Sequence, residues 1–204
     1  KRAAEKEYRW LLTLDDDSVC DDGMAAALCK YADGEKIGII CPVAVDDKMQ
    51  MPQRTERPVK EIDSCITAGA LTNVSAWMAV GGFDERMFID FVDVEYCTRL
   101  RKNHYRILQV DEGKYIHQQY GNIRGAFSLF GKKLYLFDYP PKRIYFSVRN
   151  QIYYMKKHKD SVKIRKQLLF LTGYIGKRLI FEKNRKKSLT AVCRGIRDGI
   201  KMRI

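Results

Sequence analysis

Residues 11–22, LLTLDDDSVCDD, place three adjacent carboxylates directly after a short apolar run. Leu11 to Leu14 have the character of a strand, and Asp15, Asp16 and Asp17 follow without a spacer. Ligands of open α/β sheets bind at the carboxyl edge of the strands. Adjacent carboxylates repel one another, and a shared cation would offset that repulsion. A polar turn in which Asp17 or Ser18 caps the next helix is the alternative, and these residues alone leave both open.

Charge divides the chain of 204 residues, whose net charge is +13, into two regions. Residues 1–122 hold 16 Lys and Arg against 21 Asp and Glu, whereas residues 123–204 hold 22 against 4. We therefore predict one domain over 1–122 and a basic, aromatic-rich extension over 123–204. A surplus of positive charge predicts a polyanionic partner, either nucleic acid or an anionic membrane surface.

The six cysteines show no CxxC or Cys/His spacing, which is typical of small core residues in a reducing compartment. The most hydrophobic segment, 168–181, is interrupted by two glycines and two basic residues. It is too short and too charged to predict a transmembrane helix, although it could form an interfacial one.

Strand and helix patterns alternate along the first region, which predicts an α/β fold with a largely parallel sheet. The predicted elements are the end of a helix at 1–7, a strand at 8–14, a helix from Asp21 or Asp22 to about Ala32, a buried strand at 37–45, a short helix capped by Asn73 or Ser75, a helix at 94–103, and strands at 105–110 and 114–118. Basic amphipathic segments at about 145–158, 161–182 and 188–204 predict helices in the extension.

A second acidic cluster, Asp90, Asp93 and Glu95, lies within MFIDFVDVEYCTRLR at 87–101. Asp93 stands at the predicted start of a helix among apolar residues. A carboxylate in such a water-poor cleft would gain basicity, which suits a general base. The alternative is a capping Asp93 with a Glu95–Arg99 ion pair on the helix surface.

Other patterns either stay ambiguous or are excluded. His117 ends a short predicted strand, where a lone histidine can equally be a satisfied core or turn residue. The aspartates do not form an EF-hand, because Cys20 and Ala26 stand where that loop needs glycine and glutamate. The sequence also contains no P-loop, GxGxxG, HExxH or GxSxG motif.

Four motifs in a fixed order carry a family resemblance: LLTLDDDS at 11–18, TAGALTN at 67–73, GGFDERMFIDFVDVEYCTRLRKNHYRI at 81–107 and YIHQQYGN at 115–122. Over residues 1–155 the chain resembles the inverting family 2 glycosyltransferases. Within that family, the nearest branch looks like the rhamnosyltransferase-like enzymes of bacterial surface polysaccharide assembly. The resemblance implies a GT-A fold, a nucleotide-diphosphate sugar donor and a divalent cation, Mg²⁺ or Mn²⁺.

The resemblance also implies roles for single residues. Asp93 would be the catalytic base, Asp17 and His117 would bind the metal, and Asp15 and Asp16 would lie on the donor side. The residues implied on the acceptor side or behind it are Gly69, Gly82, Phe83, Asp84, Asp90, Glu95 and Arg99.

What the resemblance implies is metal-assisted sugar transfer with inversion, with dTDP-rhamnose as the expected donor and a glycan or lipid-linked molecule as acceptor. Basic helices over 156–204 would dock on an anionic membrane, at the cytoplasmic face of the inner membrane. A nucleic-acid-binding module and a catalytically silent scaffold of the same fold are the alternatives. No strand with a nucleotide-binding turn precedes residue 1, so we expect only the metal and acceptor half of a GT-A site in 1–122, and weak or absent activity of the chain alone.

Overall fold

The computed structural model describes residues 2–46, 57–117, 139–181 and 184–204 in full, and the backbone of 123–129 and 132–137. The chain forms two compact units. The first comprises residues 1–84 and 93–119, and the second comprises 85–92 and 120–204. The predicted division at residue 122 stays a prediction, and the sequence did not predict that 85–92 group with the second unit.

A six-stranded sheet organises the first unit, with the order β1-β5-β3-β6-β2 and β4 paired to β6. Its strands are β1 (Trp10–Thr13), β2 (Val19–Cys20), β3 (Ile37–Val45), β4 (Val59–Glu61), β5 (Ala70–Asn73) and β6 (Arg106–His117). β3 is buried over nearly its whole length, as its continuous apolar run predicted. The two strands predicted at 105–110 and 114–118 form the single strand β6, which shifts register against β3 between Val110 and Tyr115.

The α/β class is confirmed, but the prediction of a largely parallel sheet is wrong for the described strands. Of the five strand pairs in this sheet, only β3 and β6 are parallel. β5 runs between β1 and β3 in the opposite direction to both, and the short β2 and β4 oppose β6. β1, β3 and β6 therefore share one direction, so their carboxyl ends lie at the same edge of the sheet.

Helices α1 (Arg2–Glu5), α2 (Met24–Cys29), α3 (Val74–Ala79) and α4 (Val92–Lys102) complete this unit. Asn73 caps α3 as predicted, since its side chain accepts a hydrogen bond from the Ala76 amide at 3.0 Å. The cap predicted for α2 is wrong. Gly23, with φ of 79°, occupies the N-cap position without a side-chain hydrogen bond, and the Asp21 carboxylate bonds elsewhere.

The second unit contains a hairpin of β7 (Ile123–Leu129) and β8 (Lys132–Phe137), which the sequence did not predict, and helices α5 (Pro141–Lys157), α6 (Ile164–Phe181) and α7 (Arg185–Lys201). These are the three predicted helices. α5 and α7 run parallel. Gly195 lies against the Tyr145 carbonyl and Gly199, one turn later, against the Arg149 carbonyl, so the residue numbers rise in the same direction along both helices. No helix in the described part of the chain is long and apolar enough to cross a membrane.

Candidate functional site

The three carboxylates at 15–17 lie on a turn that crosses the carboxyl edge of the sheet. β1 and β2 stand at opposite ends of the strand order, so residues 14–18, which connect them, run past the ends of the strands between them. The Ser18 amide donates to the Asp15 carbonyl at 3.2 Å, and the side chains of Asp15, Asp16 and Asp17 are exposed. The sheet edge predicted to hold a ligand therefore carries three solvent-facing carboxylates.

Thr67 connects the end of β1 to Asp93. The Thr13 hydroxyl donates to the Thr67 carbonyl at 2.6 Å, and the Gly69 amide donates to the Thr13 carbonyl at 2.6 Å. The Thr67 hydroxyl donates to Asp93 Oδ1 at 2.7 Å. Asp93 is partly exposed in the first turn of α4. Thr13, two residues before the carboxylates at 15–17, and Asp93 are thus both hydrogen-bonded to Thr67.

Glu95 and Arg99 form the predicted ion pair, but it is buried and not on the helix surface. The Glu95 side chain is 0% exposed and that of Arg99 is 15% exposed. Arg99 Nε donates to both carboxylate oxygens at 2.8 and 3.0 Å, and Nη2 adds a third bond at 2.8 Å. Nη1 donates to the Val80 carbonyl at the end of α3. The pair therefore joins α4 to α3 and supports the helix that carries Asp93.

His117 lies at the carboxyl end of β6, opposite Val19 in β2. Its Nε2 is 3.1 Å from Asp21 Oδ1, and Asp21 Oδ2 accepts from the Tyr115 amide at 2.9 Å. The Tyr115 amide, with a smaller contribution from His117, lowers the pKa of Asp21 below its ordinary value. The structure therefore places His117 at the predicted edge and pairs it with a carboxylate that the sequence analysis considered only as a cap.

Suitable metal ligands are present at this edge but are not assembled into a cage. Carboxylate oxygens and an imidazole nitrogen are ligands that Mg²⁺ and Mn²⁺ accept. Within the described ranges, no group of three or more His, Cys, Asp or Glu side chains is arranged to hold a metal ion. The residues thus fit a cation only in part.

A small apolar cavity of about 250 Å³ lies beside β1. Leu11, Thr13, Trp77 and Phe83 are among the residues that line it. Thr72 also lines it, and its hydroxyl is buried with no hydrogen-bond partner among the described residues. The cavity therefore offers aromatic walls and one unsatisfied hydroxyl group.

Two glycines named by the family pattern have steric reasons to be glycine. Gly69 has φ of 75°, and a Cβ there would clash with Ile116 Cδ1. Gly82 has φ of 72°, and a Cβ there would lie 2.8 Å from the Trp77 ring. Phe83 follows, with its ring centroid 4.7 Å from that of Tyr96, and Asp84 is half-buried in the next turn.

Asp90 belongs to the second unit and has structural contacts there. Its Oδ1 accepts from Arg143 at 3.3 Å, and its Oδ2 accepts from the Ser147 hydroxyl. Asn150 donates to the Ile89 and Asp90 carbonyls at 2.7 and 3.0 Å. Asp90 has φ of 62°, in the left-handed region, and these bonds from α5 hold that turn.

Three residues that the structure places at the site were not identified from the sequence. Thr67 stands within the TAGALTN motif, but the sequence gives no sign that its side chain reaches Asp93. Asp21 was considered only as a helix cap, because its partner His117 is 96 residues away. Thr72 is a buried residue of β5, and only its position on the wall of the cavity distinguishes it from an ordinary core residue.

Comparison with known proteins supports the fold. No protein-family model and no curated protein matches the chain. The crystal structure of S. aureus TarS 1–349 in complex with UDP-GlcNAc is similar at a TM-score of 0.54 and 11% identity, over 96% of this chain and 60% of that one. GalNAc-T7 with UDP, GalNAc and Mn²⁺ gives a TM-score of 0.48 at 11% identity, over 98% and 41% of the two chains. The chain spans about 60% of the TarS structure and has a GT-A-type glycosyltransferase fold.

Proposed function

We propose that this chain is part of an inverting glycosyltransferase that transfers a sugar from a nucleotide-diphosphate donor to a hydroxyl group. The observation that carries the proposal is the Thr67 connection. The Thr67 hydroxyl donates to the partly exposed Asp93 carboxylate, and the Thr67 carbonyl accepts from Thr13, two residues before the carboxylates at 15–17, which supports a common site. This arrangement supplies a candidate base and a candidate donor site in one unit.

Asp93 would act as the general base. An acceptor hydroxyl has a high pKa and must lose its proton as its oxygen attacks the anomeric carbon, and a positioned carboxylate can take that proton. One displacement from the face opposite the leaving diphosphate inverts the anomeric centre. Thr67 fixes the orientation of the Asp93 carboxylate, and the buried Glu95–Arg99 pair fixes α4.

The donor would bind along the carboxylate turn, with Asp15 and Asp16 toward the nucleoside and Asp17 and His117 toward the diphosphate. A divalent cation held there by Asp17 and His117 would neutralise the charge of the leaving diphosphate. Mg²⁺ commonly takes only one or two protein carboxylates and completes its shell with phosphate oxygens and water. The absence of an assembled group of three protein ligands among the described residues is compatible with such a site.

The acceptor would be a glycan or a lipid-linked molecule, and rhamnose is the sugar that we propose. Exposed apolar side chains on α6 support a membrane-bound acceptor, since Leu168, Leu169 and Phe170 are 48%, 75% and 62% exposed. Such side chains among Lys and Arg residues suit insertion into an anionic lipid surface.

A transfer assay with the protein that carries this chain tests the role of Asp93. Asp93→Asn keeps the shape of the side chain but cannot accept the proton, so we expect kcat to fall by about 10² to 10⁴ with little change in donor affinity. Thr67→Val is the companion variant and should lower kcat by a smaller factor. Wild-type turnover in Asp93→Asn would refute the assignment.

Vesicle sedimentation tests the membrane part of the proposal. Leu169→Ser with Phe170→Ser removes two adjacent, strongly exposed apolar side chains of α6 without changing charge. We expect this variant to lose most of its binding to vesicles that contain phosphatidylglycerol. A control, Leu189→Ser on α7, should lose less, because its side chain is 48% exposed and stands without apolar neighbours in sequence. Equal binding of the α6 variant and wild type would contradict membrane insertion of α6.

A further inference from the structure

A groove of about 550 Å³ lies between the amino-terminal halves of α5 and α7, within the second unit. Its position follows from the close, parallel packing of the two helices. Gly195 and Gly199 let α7 approach α5, because a Cβ at either position would lie within 2.8 Å of a main-chain carbonyl of α5. Parallel packing brings both helix amino termini to the same end of the pair, where the peptide dipoles favour negative charge.

Among the described residues, the groove is lined by four cations and by no carboxylate. Lys142 on α5 and Lys186, Lys187 and Arg194 on α7 contribute to its walls. The ammonium groups of the three lysines have no hydrogen-bond or ion-pair partner among the described residues. Four like charges around one cavity repel one another, so binding of an anion would relieve that repulsion.

Its floor is apolar and aromatic. Tyr145 and Phe146 contribute their rings, whose centroids are 5.1 Å apart, and Ala191 contributes a methyl group. The guanidinium of Arg149 lies 4.7 Å from the Phe146 ring centroid and 5.7 Å from that of Tyr145. The Arg149 guanidinium thus lies over a face of each ring. A nucleobase would need an uncovered ring face to stack on, whereas a hydrocarbon chain needs only apolar contact. The lining therefore favours an amphiphile over a nucleic acid.

We propose that this groove binds the phosphate-bearing headgroup of an anionic membrane lipid. The phosphate lies among Lys142, Lys186 and Lys187, and the adjoining hydrocarbon lies on Tyr145 and Phe146. The inference rests on the membrane docking in the proposed function but names a separate site. Its test uses neither α6 nor sugar transfer, so a failure of this inference is distinguishable from a failure of the proposed function.

A short-chain lipid tests the groove without a bilayer. The probe is dihexanoyl phosphatidylglycerol below the concentration at which it forms micelles, titrated into the full chain by calorimetry. We expect saturable binding, with glycerol 3-phosphate at least about tenfold weaker because it lacks the chains. Equal binding of glycerol 3-phosphate would make the site one for free phosphate and overturn the proposal, as would no binding of the lipid.

Two double variants distinguish lipid binding in the groove from lipid binding to positive charge in general, and a third variant fills the groove. Lys186→Gln with Lys187→Gln should weaken binding at least about tenfold, whereas Lys159→Gln with Lys163→Gln removes the same charge outside the groove and should weaken it less than about twofold. Thr190→Trp keeps every charge but fills the groove, because Thr190 lines it and is exposed. It should abolish binding, and circular dichroism checks that each variant stays folded.

Three results would overturn the proposal at this stage. Lipid binding that survives Thr190→Trp would show that the groove is not the site. Equal loss in both double-glutamine variants would show that only net charge matters. Tight binding of an oligonucleotide that is lost in Thr190→Trp, with no lipid binding, would assign the groove to nucleic acid instead.

Discussion

The buried ion pair between Glu95 and Arg99 gives a stability prediction that can be worked out from the structure. Arg99→Met removes the guanidinium and the three hydrogen bonds that it donates to the Glu95 carboxylate, which is 0% exposed. It also leaves the Val80 carbonyl without this donor. Breaking a buried pair by removing one partner costs about 3–5 kcal/mol, and we expect a loss in that range in the free energy of unfolding.

A matched variant on the same helix separates burial from the loss of an arginine. Arg101 pairs with Asp63 at 2.8 Å, but their side chains are 49% and 84% exposed. Exposed pairs contribute about 0–1 kcal/mol, so Arg101→Met should cost no more than about 1 kcal/mol. The double variant Glu95→Leu with Arg99→Met replaces the buried pair by apolar groups and should recover most of the stability lost in Arg99→Met.

Urea denaturation followed by circular dichroism measures all three free energies. The reasoning is refuted if Arg99→Met costs as little as Arg101→Met, because Glu95 would then be solvated in the folded protein. It is also refuted if the double variant is less stable than Arg99→Met, because the deficit would then not come from burying the Glu95 charge without Arg99 beside it.

Three further predictions concern other parts of the fold. Asn150→Ala removes the donor of two hydrogen bonds to main-chain carbonyls and should lower the free energy of unfolding, measured by urea denaturation, by about 2–4 kcal/mol. A loss under about 1 kcal/mol would contradict this, because water would then replace the amide. Gly69→Ala should cost at least about 1 kcal/mol more than Gly23→Ala, because both glycines have positive φ but only the first meets a neighbour, and equal costs would contradict the clash. The lowered pKa of Asp21 means that its stabilisation is present above its ordinary value near pH 4 and is lost as pH falls through the lower folded value. The stability difference between wild type and Asp21→Asn should therefore shrink as the pH falls through that acidic range, and an Asp21 pKa at or above the ordinary carboxyl value by NMR would contradict it.

Several elements of this fold followed from local patterns in the sequence. The continuous apolar run at 37–45 became the buried strand β3, and Asn73 caps α3 as its position predicted. The basic segments became α5, α6 and α7. In each case the signal is local, since it depends on side-chain periodicity or on one capping residue.

What local patterns could not give was strand direction and long-range pairing. Alternating strands and helices suggested a parallel sheet, but β5 pairs antiparallel with both β1 and β3, and nothing in the local pattern of residues 70–73 sets that direction. The Asp21–His117 contact spans 96 residues, and the Thr67–Asp93 contact spans 26. The (i, i+4) spacing predicted the Glu95–Arg99 pair but not its burial, which depends on the packing of α4 against α3.

Binding of a nucleoside diphosphate tests the central claim most directly, that the carboxylate turn is a donor site and Asp93 the separate base. UDP and dTDP are titrated by calorimetry into wild type, Asp17→Ala and Asp93→Ala, with and without Mn²⁺. The account predicts that one of the two nucleotides binds only with Mn²⁺, that Asp17→Ala abolishes this binding and that Asp93→Ala retains it. Binding that needs no metal, or that survives in Asp17→Ala, would contradict it.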